Sequence, residues 1–422
     1  MTQTIQVQMD GEGAGTNAAI QRAVDTAVNG GVVEIPDGEY LMHNALHLRS
    51  GVCVVGEAGT VLKKTPSVSS RIIDYLGYGH YELTVNDPAL FRVGMGIHVI
   101  DDHAAGFYTT VATIVGIAGE RLLLDRPLNH DYSPAANARA ISVFPLVEAD
   151  NITGASIENL CIDGNKDQET FELNGCRGGG IFIYQSRRIT ARNVEVRNYR
   201  GDAISFQQNI DVTIDLCHIH HNTGGGMHPG SGSVRYLLKD NRIHDNGGNG
   251  IFYCLRTTHS ICRDNLIENN RLAGISIGER DTDHLVAGNT IRGQGGPGVS
   301  FRLPARRSGD RVHLQANTLG GNCRNEGAAE IEIAPGLRQI HVTGNTIAPV
   351  KVPAISVGDG CAEIYIHDNL IAGRPQHDED VAGRRDLVQF MPPNQFPPLG
   401  PSALPADGAR HLNVDHPGPC EL

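Results

Sequence analysis

Asn249-Gly-Ile-Phe-Tyr-Cys-Leu255, followed by Ser260-Ile-Cys-Arg-Asp-Asn-Leu-Ile267, is one unit of a repeat that occupies the chain from Gly201 to Ile371. The unit contains short alternating apolar runs with Gly- and Asn-containing corners, and it has no helical periodicity. The last Asn of this unit, Asn265, belongs to a series of Asn residues that are mostly 24 residues apart and twice 28 residues apart. The series comprises Asn193, Asn241, Asn265, Asn289, Asn317, Asn345 and Asn369, with Cys217 at the missing step. A fixed period of this length predicts a solenoid, because no single repeat can bury its apolar face alone.

The content of the repeat indicates which kind of solenoid this is. Two or three short strands per repeat predict an all-β fold, a right-handed parallel β-helix, with the handedness that parallel crossovers follow. An Asn at a corner can adopt the left-handed conformation, and its amide can bond the equivalent Asn one coil away. The alternative, a β-sandwich, is disfavoured because sandwich strands do not recur at one fixed period.

Composition narrows the range of partners. The chain has 422 residues, a net charge of −12 and only 5% aromatic residues. This charge disfavours a nucleic-acid partner or an anionic membrane surface, although local arginines could still bind an acidic glycan. We find neither a membrane-spanning run nor a signal-peptide pattern, which leaves a cytoplasmic protein or a secreted one with its signal removed.

Changes in composition and periodicity along the chain predict four structural parts. Apolar residues at helical spacing in residues 17–28 predict an amphipathic helix that covers the open end of the solenoid. A region of strands and Gly-containing turns interrupts the repeat, and a proline-rich segment ends the chain. The parts are residues 1–84, the cap helix and first coils; 85–145, an inserted small β subdomain; 146–372, the main β-helix; and 373–422, the proline-rich tail.

Several segments resemble the pectin-lyase-like superfamily. They are Ala19-Ile-Gln-Arg-Ala-Val24, Gly30-Gly-Val-Val-Glu-Ile-Pro-Asp-Gly-Glu-Tyr40, Val55-Gly-Glu-Ala-Gly-Thr-Val-Leu62 and Ile162-Asp-Gly-Asn165. The superfamily includes polygalacturonases, pectate and alginate lyases, mannuronan 5-epimerases and phage tailspike glycosidases. The resemblance therefore implies a polysaccharide or oligosaccharide substrate and a homo-oligomer, a trimer for example. It allows Ca²⁺, for which the sequence has no motif.

The catalytic motifs of the polygalacturonases match only in part. Asp202 matches the second Asp of their Asp-Asp motif, and Gly201 falls on the first. Gly225 falls on their His, and Phe252–Cys254 falls on their Arg-Ile-Lys. Polygalacturonase chemistry is therefore disfavoured.

The mannuronan 5-epimerases match in scaffold but not in catalytic residues. Gly226-Met-His-Pro-Gly230 resembles their Gly-Phe-Asp-Pro-His motif. His228 replaces the Asp, Gly230 replaces the His, and Gly225 stands at their Tyr. We therefore expect a different catalytic set, with His228 as the strongest single candidate.

Alternation along the first strand of each coil predicts which side chains face outward. The two outward columns hold small, aromatic and hydrogen-bonding groups, which are typical of a sugar-binding floor. The first column is Phe182, Ser205, His228, Phe252, Ser276, Ser300 and Glu332, and the second is Tyr184, Gln207, Gly230, Cys254, Gly278, Arg302 and Ala334.

The favoured function is cleavage of a uronate-containing polysaccharide by β-elimination, because a base beside arginines suits proton abstraction next to a carboxylate. His228 or Tyr184 would be the base, and Asp202, one coil away, would orient His228. Arginines would bind the carboxylate, with three further polar side chains in the cleft. The predicted binding residues are Arg256, Arg280, Arg302, Tyr184, Gln207 and Glu332.

Two rival functions remain open from the sequence. Glu279 with a nearby Asp could serve a glycoside hydrolase or a fructotransferase-like enzyme, but Asp202 is three coils away, roughly 14 Å by strand spacing. That exceeds the ~5–9.5 Å of a glycosidase carboxylate pair. The other rival is a non-catalytic glycan-binding solenoid, in which His228 is a surface histidine and Glu279-Arg280-Asp281 is a solvated charge cluster.

Metal and cofactor signals are weak. The histidines at 218, 220 and 221 suggest a metal, but they fall on a back strand. The nine cysteines contain no Cys-x-x-Cys pair. The sequence therefore predicts no metal site and no cofactor.

Overall fold

The structure is a computed structural model that describes residues 4–7, 15–27, 30–75, 77–104, 106–302, 309–377 and 380–389. The chain forms two compact units. The first contains Met1–Ile183 and Glu195–Ser205, and the second contains Tyr184–Val194 and Phe206–Leu422. Most of the predicted proline-rich tail, residues 390–422, lies outside the described residues.

Each coil contributes strands to three parallel sheets. Sheet 1 carries the first strand of a coil, sheet 2 the second and sheet 3 the third, as in Ile251–Phe252, Thr258–Arg263 and Leu266–Glu268. Each strand pairs in parallel with its equivalent in the next coil, for example Ile251 with Ile275 and Ile261 with Leu285. The predicted parallel β-helix is confirmed.

The second unit contains most of the coils. In sheet 1 its strands are Met227–Gly230, Ile251–Phe252, Ile275–Ile277, Val299–Phe301, Ile331–Ile333, Ile355–Val357 and Val381–Gly383. In sheet 2 they are Arg187–Arg192, Ile210–Asp215, Leu237–Lys239, Thr258–Arg263, Thr282–Ala287, Val312–Gln315, Arg338–Thr343, Ala362–His367 and Val388–Gln389. In sheet 3 they are His218–His220, Arg242–His244, Leu266–Glu268, Thr290–Arg292, Thr318–Gly320, Thr346–Ala348 and Leu370–Ile371, followed by the antiparallel Arg374–Pro375. Two more sheet 1 strands, Ile181–Tyr184 and Ile204–Gln207, contain residues of both units.

The first unit combines early coils with a helix. Its solenoid strands are Thr4–Gln6, Val32–Ile35, Cys53–Gly56 and Thr153–Glu158 in sheet 2; Gly38–Met42, Thr60–Lys64, Cys161–Asp163 and Glu195–Arg197 in sheet 3; and Leu46–His47 and Val147–Asp150 in sheet 1. The predicted helix occupies Gly15–Thr26, with Ile20 and Val24 fully buried. Gln21 joins the helix to the strand Leu46–His47 by two hydrogen bonds. Its side-chain amide donates to the His47 carbonyl at 3.0 Å and accepts from the His47 N–H at 2.8 Å. Short 3₁₀ helices lie at Pro88–Leu90, Gly106–Tyr108, Pro134–Ala136 and Lys166–Gln168, and in the second unit at Arg385–Leu387.

A separate antiparallel sheet interrupts the coils of the first unit. Its strand order is Ser69–Arg71, Arg139–Ile141, Gly96–Ile100, Thr110–Ala118, Arg121–Leu124 and Glu82–Thr84. The sheet has its own apolar core, which includes Leu83, Ile97 and Ile114. Its first strand begins at Ser69, so this region starts before residue 85, where the sequence placed its boundary.

The predicted Asn ladder is present along the corner between sheets 2 and 3. The Nδ2 atoms of Asn241 and Asn265 each donate to the Oδ1 of the next Asn at 2.9 Å, and the chain continues to Asn369. Cys217 stands at the ladder position, because its N–H donates to Asn241 Oδ1 at 2.9 Å. Asn193 does not stand at that position: Arg192 pairs with Asp215, so Asn193 aligns with Leu216 rather than with Cys217.

The prediction that each ladder Asn adopts the left-handed conformation is wrong. The left-handed residue is the one before each ladder Asn, for example Asp240 and Asp264 with φ of 56° and 57°. This arrangement leaves the Asn itself free to turn its side chain into the coil, where Asn241 and Asn265 are 1% exposed. The ladder is thus a buried hydrogen-bond chain with its turn one residue earlier.

A second ladder lies at the end of sheet 3 and was not predicted. Asn222 donates to Asn246 and Asn246 to Asn270, each at 2.9 Å between Nδ2 and Oδ1. The series continues through Gln294, Asn322 and Glu330. Two amide chains therefore hold the coils of the second unit in register. In the described part of the chain, no helix has the length and apolarity needed to span a membrane.

Candidate functional site

The candidate site lies on the outer face of sheet 1 in the second unit. Phe252 pairs with Ser276, which pairs with Ser300, which pairs with Glu332. Gly230 bridges to Cys254 in the adjacent column. The structure therefore gives the register of the two outward columns that the sequence predicts.

In the first unit the same face is covered. Phe182 is 3% exposed and Ser205 is fully buried. The Ser205 hydroxyl donates to the carbonyl of Gly175, in the polar loop of residues 165–179. The expectation that an open floor extends to Phe182 and Ser205 is therefore wrong, and at Ser205 the loop is hydrogen-bonded to the sheet.

In the second unit the Phe252 ring contacts both His228 and Arg302. The His228 ring meets the Phe252 ring edge-on, with centroids 5.1 Å apart at 90°. The guanidinium carbon of Arg302 lies 4.1 Å from the same centroid, in cation–π range. Phe252 is half-buried, whereas His228 is only 6% exposed. Sequence reasoning placed all three residues on this face but did not foresee the shared ring.

Arg302 is held by fixed acceptors. Its Nη2 donates to the carbonyl of Tyr253 at 2.6 Å, and its Nη1 donates to Ser276 Oγ at 2.8 Å. Burial lowers its pKa, which the carboxylate of Asp281, 3.8 Å away, partly opposes. The side chain is still 30% exposed. Arg302 is therefore a preorganised cation at the surface of sheet 1.

The expected charge cluster at residues 279–281 separates into two parts. Glu279 and Arg280 form an exposed ion pair at 2.9 Å, which contributes about 0–1 kcal/mol in such a setting. Asp281 is fully buried and accepts hydrogen bonds from the Thr257 N–H and the Gly278 N–H, both at 2.9 Å. Burial raises its pKa. Asp281 is thus a corner residue that links two coils, and Glu279 is paired to the arginine predicted beside it.

The remaining predicted site residues differ in accessibility. Gln207 is fully buried and packs on Gly230, where an added Cβ would come within 2.4 Å of its Oε1. Gln207 is thus closed off from solvent, and its role in binding substrate stays a prediction. Tyr184 is half-buried and Arg256 is exposed, in a turn with φ of 64°. Glu332 accepts a hydrogen bond from the Ala328 N–H of its own loop.

Asp202 is the one predicted catalytic residue in the first unit. It is half-buried and precedes the strand Ile204–Gln207. The other predicted site residues belong to the second unit. The orienting role of Asp202 toward His228 stays a prediction.

Groups that could hold a metal lie on sheet 3 of the second unit, within the described residues. One contains His218, His220 and His244, and the other contains His221, His244 and Asp245. The sequence pointed to three of these histidines, but it missed His244 because that residue lies one coil further on.

Comparison with known proteins agrees with the architecture. Residues 147–303 match a family model described as a right handed beta helix region. No curated protein gives a significant sequence match.

Three solved structures illustrate the similarity. The A-module of the Azotobacter vinelandii mannuronan C-5 epimerase AlgE4 is 17% identical, with a TM-score of 0.56, covering 89% of this chain and 96% of that one. The Dettilon tailspike protein is 14% identical, with a TM-score of 0.56 and coverages of 87% and 62%. The Yersinia enterocolitica family 28 exopolygalacturonase is 14% identical, with a TM-score of 0.50 and coverages of 92% and 78%. The chain therefore has a right-handed parallel β-helix fold, and this fold is similar to those of the three proteins.

Proposed function

We propose that the protein is a carbohydrate-active enzyme that cleaves a uronate-containing polysaccharide by β-elimination on the sheet 1 face of its second unit. The observation that carries the proposal is the contact of His228 and Arg302 with one Phe252 ring. A mannuronan epimerase and an exopolygalacturonase share the fold, which is consistent with a uronate polymer as substrate.

The chemistry follows from a base and a cation on one surface. Neutral His228 takes the proton on the carbon beside the uronate carboxylate, and Arg302 neutralises the charge that develops on that carboxylate. The electron pair forms a double bond between C4 and C5, and the C4–O bond breaks. The departing oxygen takes a proton from the imidazolium, which returns His228 to its neutral form. The products are an unsaturated uronate and a new reducing end.

Phe252 and Arg302 define where the sugar would bind. A half-buried aromatic ring suits the apolar face of a pyranose, and Arg302 can bind the carboxylate at its edge. His228 is 6% exposed, so the proposal includes a local opening around its ring when the substrate binds. Arg256, which is exposed at the next corner, can contact a neighbouring uronate.

The direct test is a panel of uronate polymers, followed by ultraviolet absorbance of the unsaturated product and by reducing ends together. We expect both signals with at least one polymer. His228→Gln should lower the rate about 10²–10⁴-fold, the range for loss of a general base. His313→Gln is the matched control, because His313 is a half-buried histidine on sheet 2.

Other outcomes identify the rivals. Reducing ends without unsaturation would indicate hydrolysis and contradict elimination. Neither signal, with retention of the protein on a glycan column, would indicate a binding solenoid. Full activity in His228→Gln would remove the base assignment.

A further inference from the structure

The outer face of sheet 3 carries a cluster of histidines that the proposed reaction does not use. His218 and His220 lie on strand His218–His220, and His244 ends strand Arg242–His244 in the next coil. Ile219, between His218 and His220, and Ile243, next to His244, are fully buried, so the neighbouring histidines face outward. His220 pairs directly with His244. The two-residue spacing and the coil repeat together place three imidazoles side by side.

The ring nitrogens converge. The Nε2 atoms of His218 and His244 are 2.8 Å apart, and the rings of His220 and His244 stack in parallel with centroids 5.0 Å apart. One ligand atom from each of the three residues lies within 4.8 Å of the others. Tetrahedral zinc with bonds of about 2.0–2.1 Å needs neighbouring ligand nitrogens about 3.3 Å apart. The ligand nitrogens are separated by 2.8 Å in one pair and by at most 4.8 Å in the others, a range that includes this value. Small side-chain rotations would therefore bring the three nitrogens to the separation that zinc needs.

A carboxylate supplies an independent observation. Asp245 Oδ2 lies 2.7 Å from Nδ1 of His244. A carboxylate at Nδ1 holds the proton there and leaves Nε2 as the ligand atom, and that Nε2 is the atom that faces His218. This carboxylate–histidine arrangement is the usual support of a metal-binding imidazole. His221, whose Nδ1 lies 2.7 Å from Nδ1 of His220, adds a fourth imidazole at the rim.

We propose that His218, His220 and His244 bind a divalent late first-row transition metal ion, Zn²⁺ foremost, with Asp245 as a positioning residue. Imidazole ligands suit zinc, nickel and copper, whereas calcium and magnesium require oxygen ligands. The ion links two successive coils, because its ligands come from adjacent strands. This site departs from the expectation of no metal and is independent of the proposed lyase activity.

The test uses tag-free protein stripped with a chelator and titrated with zinc chloride by calorimetry. We expect one zinc ion per chain, and a loss of at least tenfold in affinity in the double variant His218→Gln/His220→Gln. Asp245→Asn should weaken binding about 10–100-fold, the usual effect of losing such a support. Cobalt should give visible absorption bands of a low-coordinate imidazole site in the parent and not in the double variant.

The matched control is His313→Gln/His341→Gln. These two histidines stack on sheet 2 of the same unit with centroids 4.4 Å apart, so the control removes the same number of stacked imidazoles. It should bind zinc as the parent does. Far-ultraviolet circular dichroism must be unchanged in all variants. Absence of binding in the parent, or equal binding in the parent and the folded double variant, would overturn the proposal.

Discussion

Replacing Asn265 by Ala should disrupt the buried ladder at its centre. The side chain is 1% exposed. Its Oδ1 accepts from the N–H and the Nδ2 of Asn241, and its Nδ2 donates to the Leu238 carbonyl and to Asn289 Oδ1, all at 2.9–3.0 Å. A longer hydrogen bond runs from Asn265 Nδ2 to Cys262 Sγ at 3.4 Å. The change therefore removes five hydrogen bonds without exposing their other partners to water.

The magnitude follows from what is left unpaired. The Asn241 N–H loses its acceptor, which costs about 1–3 kcal/mol for a buried group. The Leu238 carbonyl and Asn289 Oδ1 each lose one donor, and Asn241 Nδ2 loses one of its two acceptors, at about 0.5–1.5 kcal/mol apiece. We expect the free energy of unfolding of the second unit to fall by roughly 2.5–7.5 kcal/mol.

Hydrogen exchange by mass spectrometry on peptides that cover residues 237–245 measures the effect locally, with thermal unfolding as a second readout. Two compact units make a single global value ill-defined, so the local measurement decides. Asn325→Ala is the control, because Asn325 is exposed and should change stability by no more than about 0.5 kcal/mol. Unchanged exchange in this peptide in Asn265→Ala would refute the ladder as a stabilising element.

Three further predictions follow from the contacts described above. Arg302→Gln should lower kcat/KM on the active polymer about 10²–10³-fold, as for loss of one electrostatic stabiliser, measured by initial rates; an unchanged rate would exclude Arg302 from the site. Gly250→Ala should destabilise the second unit by about 1–3 kcal/mol in thermal unfolding, since the new Cβ would lie 2.6 Å from the Gly274 carbonyl oxygen, and a neutral effect would contradict the tight coil spacing. Burial alone would raise the pKa of Glu148, which is 4% exposed, but His47 and Arg126 lower it from 4.5 to about 2. The first unit should therefore lose stability as pH falls from about 4.5 toward 2, and Glu148→Gln should weaken this dependence in acid-unfolding curves.

The fold could be predicted because its cause is periodic. Asn241 and Asn265 recur at the coil length, and an amide that returns at a fixed step indicates coils stacked in register. The second ladder leaves a weaker signal in the sequence, because Gln294 and Glu330 replace Asn at two of its positions. Both residues keep the hydrogen bonds of the ladder, but the Asn repeat is interrupted. Asn193 was misplaced because its coil is one residue shorter than the next.

The site could be predicted only in part. Strand alternation predicts which face of the sheet a side chain points to, but not whether that side chain is exposed to solvent. It placed His228, Phe252 and Arg302 on one face. It could not show that Gln207 is fully buried against Gly230. Nor could it show that Ser205 is covered by the loop at residues 165–179, because this loop lies outside the repeat. Contacts that depend on long side chains, such as that of Arg302 with the Tyr253 carbonyl, leave no periodic signal.

Product analysis by nuclear magnetic resonance on a cleaved uronate polymer tests the central claim most directly. The parent protein should give a C4–C5 double bond at the new non-reducing end, and His228→Gln should give it at a rate reduced about 10²-fold or more. A saturated non-reducing end, or unsaturated product formed at the parent rate by His228→Gln, would contradict elimination with His228 as the base.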